Sequence, residues 1–235
     1  MSRRSVVDNP ANRPATVTVG VESVIFSVDA DQAQLLVLLA RHQEGDRLQW
    51  GLPRTLVCGD ESLEAAAYRT LREKIRADNL YLEQLYTFDG DAATPGEERY
   101  LSVSYFALVR YTEAALVADP HTKWHPVAQT AQLAFDHNRI LAYGYQRLRN
   151  KLEYSPIAFE VLPERFTLGE LYQLYCTVLG EQFSDYSNFR ARLLKLGFLT
   201  DTGLKLSRGA GRPATLYRFD ADKFAPLKDK PLVFV

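Results

Sequence analysis

Cysteine is scarce in this chain. Only Cys58 and Cys176 occur among 235 residues. So wide a separation makes neither a metal-binding spacing nor a disulfide framework, so a reducing compartment and two buried thiols are expected. Long apolar runs are absent too. No stretch approaches the ~18–20 residues of a membrane span. After Arg3 and Arg4 only Val6 and Val7 precede Asp8-Asn9-Pro10, too few for a secretory core. A cytoplasmic location without a membrane partner is therefore expected. Net charge is nearly missing: 28 basic residues face 29 acidic ones, a balance of −1. That excludes a histone-like polycation, although it leaves room for local asymmetry. Neither an internal repeat nor a low-complexity tract is present.

What is there suits a globular chain. Apolar residues make up 46% and charged residues 24%, enough to bury a core and to exclude disorder or collagen-like structure. The length allows one large domain or two small ones. Residues 1–14, with Asn12-Arg13-Pro14, read as a flexible arm. Thr16–Val21 and Ser23–Val28 are β-branched and read as strand. Gln34–Arg41 is an apolar run suited to a strand buried on both faces. Tyr81–Asp89 and Tyr100–Tyr111 read as further strands, with a polar loop over Gly90–Arg99 between them. Asp60-Glu61-Ser62 can cap a helix on which Leu63, Ala66, Ala67, Thr70 and Leu71 recur at helical spacing. Ala134–Leu152 reads as a long helix.

The character changes near residue 160. Thr167-Leu168-Gly169-Glu170 is a capping box before Leu171, Leu174, Tyr175 and Val178. A second helix runs from about Asp185 to Gly197. Then follow a turn at Thr200–Gly203, a strand Leu204–Leu206, a loop Ser207–Pro213 and a strand Thr215–Phe219. Residues 187–218 hold seven Lys/Arg against one acid, Asp201. Ser187, Asn188, Arg190, Arg192 and Lys195 supply an outer face that can enter a major groove, with Phe189, Leu193, Leu194 and Leu196 inward. Lys205, Arg208 and Arg212 lie on a hairpin that looks like a wing, whose glycines allow close approach to phosphate. Asn188 and Arg190 are placed to reach base edges. The bland alternative is a solvated helix face and a basic turn.

Trp50-Gly51-Leu52-Pro53, Glu61–Ala67 and Arg69–Lys74 resemble the signature of the Nudix family, G-x5-E-x7-R-E-U-x-E-E-x-G-U. Anchored on Arg69, the pattern keeps Glu61, Leu71 and Glu73. It departs at Thr55 and Arg76, which stand where glycines belong, and at Thr70 and Lys74, which stand where glutamates belong. Positions 70, 73 and 74 are expected to share one helix face, where three carboxylates would hold Mg²⁺ beside a pyrophosphate. A Lys ammonium about 4 Å from a divalent ion costs on the order of 8 kcal/mol at an effective dielectric of about 20, twice the unit-charge value. The fold class expected is α+β: a Nudix-like α/β/α sandwich followed by a winged helix-turn-helix. A metal is not expected, and no cofactor is required. Glu61, Glu64 and Glu73 remain as residual catalytic candidates.

A degenerate Nudix domain ahead of a winged helix resembles the Nudix-related transcriptional regulators of NAD metabolism. The likeness extends to Ala134-Phe135-Asp136-His137, to Asp201–Lys205, and to Gly211–Ala214 with Leu216-Tyr217. It covers nearly the whole chain and implies a Nudix-like domain over 15–133, a linker helix and connection over 134–162, and a winged helix over 163–235. It also implies a repressor on double-stranded operator DNA, with ADP-ribose or a related nucleotide as effector; a two-fold homodimer would suit helix-turn-helix geometry. Carried over by position, Arg41, Trp50, Glu73 and Arg99 are pocket residues: arginine can clamp a diphosphate and tryptophan can stack a base. His137 is expected to be structural. Two alternatives stay open. One is a Nudix hydrolase of ADP-ribose or a similar diphosphate, using Glu61, Glu64, Glu73 and Glu97 or Glu98. The other is a scaffold whose winged helix binds protein.

Overall fold

The computed structural model describes residues 17–75, 81–89, 99–110, 119–180, 183, 185–207 and 213–228. The N-terminal arm, the 90–98 loop with Glu97 and Glu98, Arg76, and the wing tip with Arg208 and Arg212 lie outside the described residues. Strands β1 (Val17–Asp29), β2 (Gln34–Glu44), β3 (Arg47–Gly51), β4 (Arg54–Leu56), β5 (Tyr81–Asp89), β6 (Arg99–Arg110) and β7 (Thr122–Pro126) form one sheet. The order is β3-β2-β1-β6-β5, with β4 on β1 and β7 on β2. β1 runs parallel to β6 from Val17↔Arg99 to Val28↔Arg110, and the other pairings are antiparallel. β1 is central and covered on both faces, which accounts for its nearly unbroken burial.

Two helices sandwich the sheet. Helix α1 (Leu63–Lys74) starts at Ser62, whose side chain accepts from Ala65 N. It lays Ala66, Ala67, Thr70 and Leu71 on one face, where Leu71 joins Ile25, Leu38 and Val109. Helix α2 (His137–Tyr154) covers the other face with Ile140, Leu141, Leu148 and Leu152. It crosses β1 at Gly144, where a Cβ would come within 3.0 Å of Val24. A larger residue there would require Val24 to give way.

The C-terminal unit follows α3 (Ala158–Val161). Strand β8 (Phe166–Thr167) leads into α4 (Leu168–Leu179), which is opened by the capping box of Thr167 and Glu170. Next come α5 (Tyr186–Lys195), β9 (Leu199–Leu206), β10 (Ala214–Phe219) and α6 (Ala221–Phe224). The strands form a sheet ordered β8-β10-β9. Helix α2 docks onto this unit. Tyr145 Oη donates to Val178 O (2.9 Å), and the buried Tyr175 donates back to Leu152 O (3.1 Å). A single apolar core runs from Val24 and Phe106 through Leu148 to Phe189, Phe198 and Phe224. No described helix is long and apolar enough to cross a membrane.

Several readings of local structure change, and β3 and β4 were not expected as strands. The two N-terminal strands are one. β7 was not expected, because Lys-Trp-His-Pro shows no alternation. β8 adds a third strand to the hairpin. The turn at Thr200–Gly203 is a bulge inside β9: Gly203 takes φ +73°, which glycine adopts without strain, and its N–H bonds Asp201 Oδ1. Helix α2 begins at His137, because Phe135 turns the chain with φ +55°.

Candidate functional site

The loop between β4 and α1 is organised by one guanidinium. Arg69 donates to both oxygens of Glu61 (2.7 and 3.2 Å), to Thr55 Oγ1 (2.9 Å) and to Leu56 O (3.0 Å), and lies 3.7 Å from Glu73. Glu61 also accepts from Cys58 N (2.7 Å). These bonds hold its carboxyl below the usual range, the Arg69 hydrogen bond first. Cys58 is exposed and Cys176 half-buried, not buried as expected; Cys58 sits in the loop that Arg69 gathers. The helix does not converge on a metal. Thr70 is buried and its hydroxyl bonds back to Ala66 O (3.0 Å), so it belongs to the arc facing the sheet. Glu73 leans to Arg69, and Glu64 is exposed. Lys74 reaches Asp119 (3.1 Å), which also accepts from His121 N and Thr122 Oγ1 and is held at about 2, the His121 bond leading. Positions 70, 73 and 74 therefore point three ways instead of sharing a face. One carboxylate bound by arginine, one ammonium and a back-bonded hydroxyl do not fit a divalent cation. Among the described residues no three His, Cys, Asp or Glu side chains gather closely enough to hold one.

Arg41 and Trp50 are brought together by the register of β2 and β3, where they are direct partners. The Arg41 guanidinium lies 4.3 Å from the indole centroid and donates to Leu48 O (3.2 Å). Lys123 of β7 lies 4.3 Å from the same indole. Arg99, two strands beyond β2, is committed to Asp89 (2.5 Å) and does not join them. Glu73 stays with the Arg69 hub. Of the four pocket candidates, the fold thus assembles two.

A second cluster was missed in the sequence. Glu22, 1% exposed on β1, accepts from Tyr100 Oη (2.8 Å) and Ser102 Oγ, with Arg54 Nε at 3.4 Å. Burial pushes its carboxyl up, while the Ser102 and Tyr100 bonds and Arg54 oppose that. The Arg54 guanidinium lies over Tyr100 (4.0 Å) and Phe135 (4.6 Å). The only linear signal was an arginine directly after Trp-Gly-Leu-Pro.

The start of α2 is fastened to this end of the sheet. Trp50 O accepts from Ala134 N (2.8 Å), and Leu52 N donates to His137 Nδ1 (2.8 Å). His42 Nε2 donates to Leu52 O (2.7 Å). Gly51 leaves room for both rings, since a Cβ would lie 2.6 Å from His137 Nδ1. Burial, followed by the charges of His42 and Arg54, pushes His137 down to about 3. It is a neutral structural acceptor, as expected.

On the other unit, α5 buries Phe189 and Leu193 and exposes Ser187, Asn188, Arg190, Arg192 and Lys195; Lys205 is exposed on β9. Asp185 caps the helix, accepting from Ser187 N (2.8 Å), Asn188 N (3.1 Å) and the Asn188 side-chain amide. Asn188 is therefore engaged with its own cap, while Arg190 and Lys195 project from the outer face. That face can neutralise phosphates along a duplex.

Known proteins share both halves. Residues 19–145 match the NUDIX domain family, and residues 154–235 match the AraR C-terminal winged HTH domain. The chain is 35% identical over 205 residues to the ADPR responsive transcriptional repressor NtrR of Acinetobacter baylyi, spanning 85% of this chain and 80% of that protein. It superimposes with a TM-score of 0.74 on the crystal structure of Shewanella oneidensis NrtR complexed with a 27mer DNA, at 34% identity, over 87% of this chain and 94% of that one. A MutT/nudix family protein from Enterococcus faecalis shares the fold, with a TM-score of 0.67, 22% identity and 88% coverage of each chain.

Proposed function

From the premise that the chain belongs to the Nudix-domain transcriptional regulators, we propose that it represses transcription by holding operator DNA with its winged helix and releases that DNA when its Nudix domain binds ADP-ribose. It is a ligand-responsive DNA-binding regulator of Nudix and winged-helix architecture. ADP-ribose as effector rests on the named response of the Acinetobacter relative. The reading as a cytoplasmic homodimer on a two-fold operator suits helix-turn-helix geometry. Arg41, Trp50 and Arg54 are the residues proposed at the effector. Ser187, Arg190, Arg192, Lys195 and Lys205 are proposed at DNA, joined by Arg208 and Arg212 of the wing. Hydrolysis is not part of the proposal, because the donor set around Glu61 and Glu73 does not fit the metal that such chemistry uses.

One observation carries the reading. The segment leading into α2 is bonded to the Trp50 carbonyl through Ala134, and α2 is bonded to the winged helix through Tyr145 at its middle and Leu152 near its end. An effector that moves Trp50 or Leu52 moves the base of the helix on which the DNA-binding unit rests. Release requires that ADP-ribose bind the DNA-free conformation better than the DNA-bound one. The test uses an operator selected from random duplexes. Binding should weaken with added ADP-ribose and fall steeply with salt. Absence of any duplex binding at low salt overturns the DNA half. Retention of DNA at saturating ADP-ribose overturns the effector half. Mg²⁺-dependent release of AMP at ordinary turnover would favour a hydrolase.

A further inference from the structure

Several basic side chains of the Nudix domain and the adjoining helix are paired. Arg54 has Glu22, Arg69 has Glu61, Lys74 has Asp119, Arg99 has Asp89, and Arg147 and Lys151 share Glu83. Among the described residues Arg41 and Lys123, like Arg47, Arg72 and Arg110, have no ion pair, and these two are set apart by sharing one aromatic ring. Both lie 4.3 Å from the centroid of one indole, that of Trp50, and among the described residues neither has a carboxylate within 4.0 Å. One cation on a tryptophan is an ordinary stabilising contact. A second of the same sign adds repulsion, which a bound anion would relieve.

We propose that Arg41 and Lys123, held on Trp50 as a platform, form the seat for the diphosphate of the effector. This deepens the effector reading above and rests on it: the site recognises the anionic centre of a nucleoside diphosphate derivative. Lys123 is the new member. No pattern in the sequence marks it, because it arrives on β7 from the far edge of β2, opposite Leu39, diagonal to Arg41. Trp50 acts here as a positioning residue. Its ring is occupied by the two cations and orients them. Its carbonyl holds Ala134 (2.8 Å) ahead of α2, so a phosphate drawn to the cations pulls on the strand that anchors the helix.

The experiment is calorimetric titration of the full chain with ADP-ribose and, separately, with inorganic pyrophosphate and adenosine. Wild type should bind the first two and not adenosine. Lys123→Met keeps the aliphatic stem and removes the charge. It should weaken both ADP-ribose and pyrophosphate about tenfold or more, the scale of one charge-assisted hydrogen bond. Lys123→Arg should restore most of the affinity, which a packing role would not require. Melting temperatures of both variants show that they fold. If Lys123→Met binds ADP-ribose as tightly as wild type, the seat is refuted and the effector reading survives. If wild type ignores ADP-ribose but binds pyrophosphate through Lys123, the effector reading falls and the seat stands. If wild type binds neither, both fall.

Discussion

The Nudix domain and the winged helix dispose of positive charge in different ways. On the loop and helix of the cradle, Arg69 and Lys74 are folded onto Glu61, Glu73 and Asp119. On α5, Arg190 and Lys195 face solvent, and among the described residues neither makes an ion pair. Paired charges build a rigid frame around the loop and helix of the cradle. Exposed charges wait for a polyanion, where each neutralised phosphate releases counterions. The lesson is that charge content alone does not separate the two roles; the number of carboxylates within reach does.

The contrast can be broken first by acid. His137 is held near 3 when folded, against about 6.5 when unfolded. The unfolded chain then binds more protons below 6.5, so stability falls as pH drops from 6.5 toward 3. The loss should be on the order of 4 kcal/mol. Urea unfolding at pH 7, 5 and 4 measures it. His137→Gln, which keeps an acceptor, should flatten the slope while costing stability at pH 7. An equally steep slope in the variant would mean that the acid sensitivity lies elsewhere.

Removing the exposed charges comes next. Arg190→Ala, Arg192→Ala and Lys195→Ala together should weaken operator binding about a hundredfold and reduce the salt slope by about three. Fluorescence anisotropy across salt concentrations reads both numbers. ADP-ribose binding should hardly change, and a parallel loss would contradict the division of labour.

A smaller effect tests why the side chains of the cradle do not fit a divalent cation. Lys74→Glu places a carboxylate beside Glu73 and opposite Asp119. Mg²⁺ should then raise the melting temperature by about 2–4 °C in the variant and not in wild type, the scale of about 1 kcal/mol for a chain this long. An identical response in both proteins would clear Lys74 of that role. The smallest expected change is Thr167→Ala, which removes the cap of α4 and should cost about 1 kcal/mol. Because one core spans both units, unfolding should stay a single transition at a lower midpoint. Calorimetry that resolved two transitions would show the units to be independent.

Much of this was legible in the linear chain. Ser62 and the Thr167–Glu170 box mark their helices because caps act within four residues. Glu61 and Arg69 are eight apart on a loop and helix whose geometry the Nudix pattern already implies. The basic face of α5 follows from helical periodicity. Less visible were Asp119 opposite Lys74, Glu22 under Arg54, and Lys123 beside Trp50. Each depends on elements distant in sequence becoming neighbours. Thr70 shows the reverse: spacing put it on a shared face, but its hydroxyl turned to Ala66 because that arc of the helix is buried.

The sequence by itself determined the two units, the degenerate box and the basic helix, because those rest on local periodicity, capping and composition. Only the tertiary structure decided which charges are neutralised and which are left over, since that balance is struck between side chains far apart in sequence, such as Glu22 with Arg54 and Lys74 with Asp119.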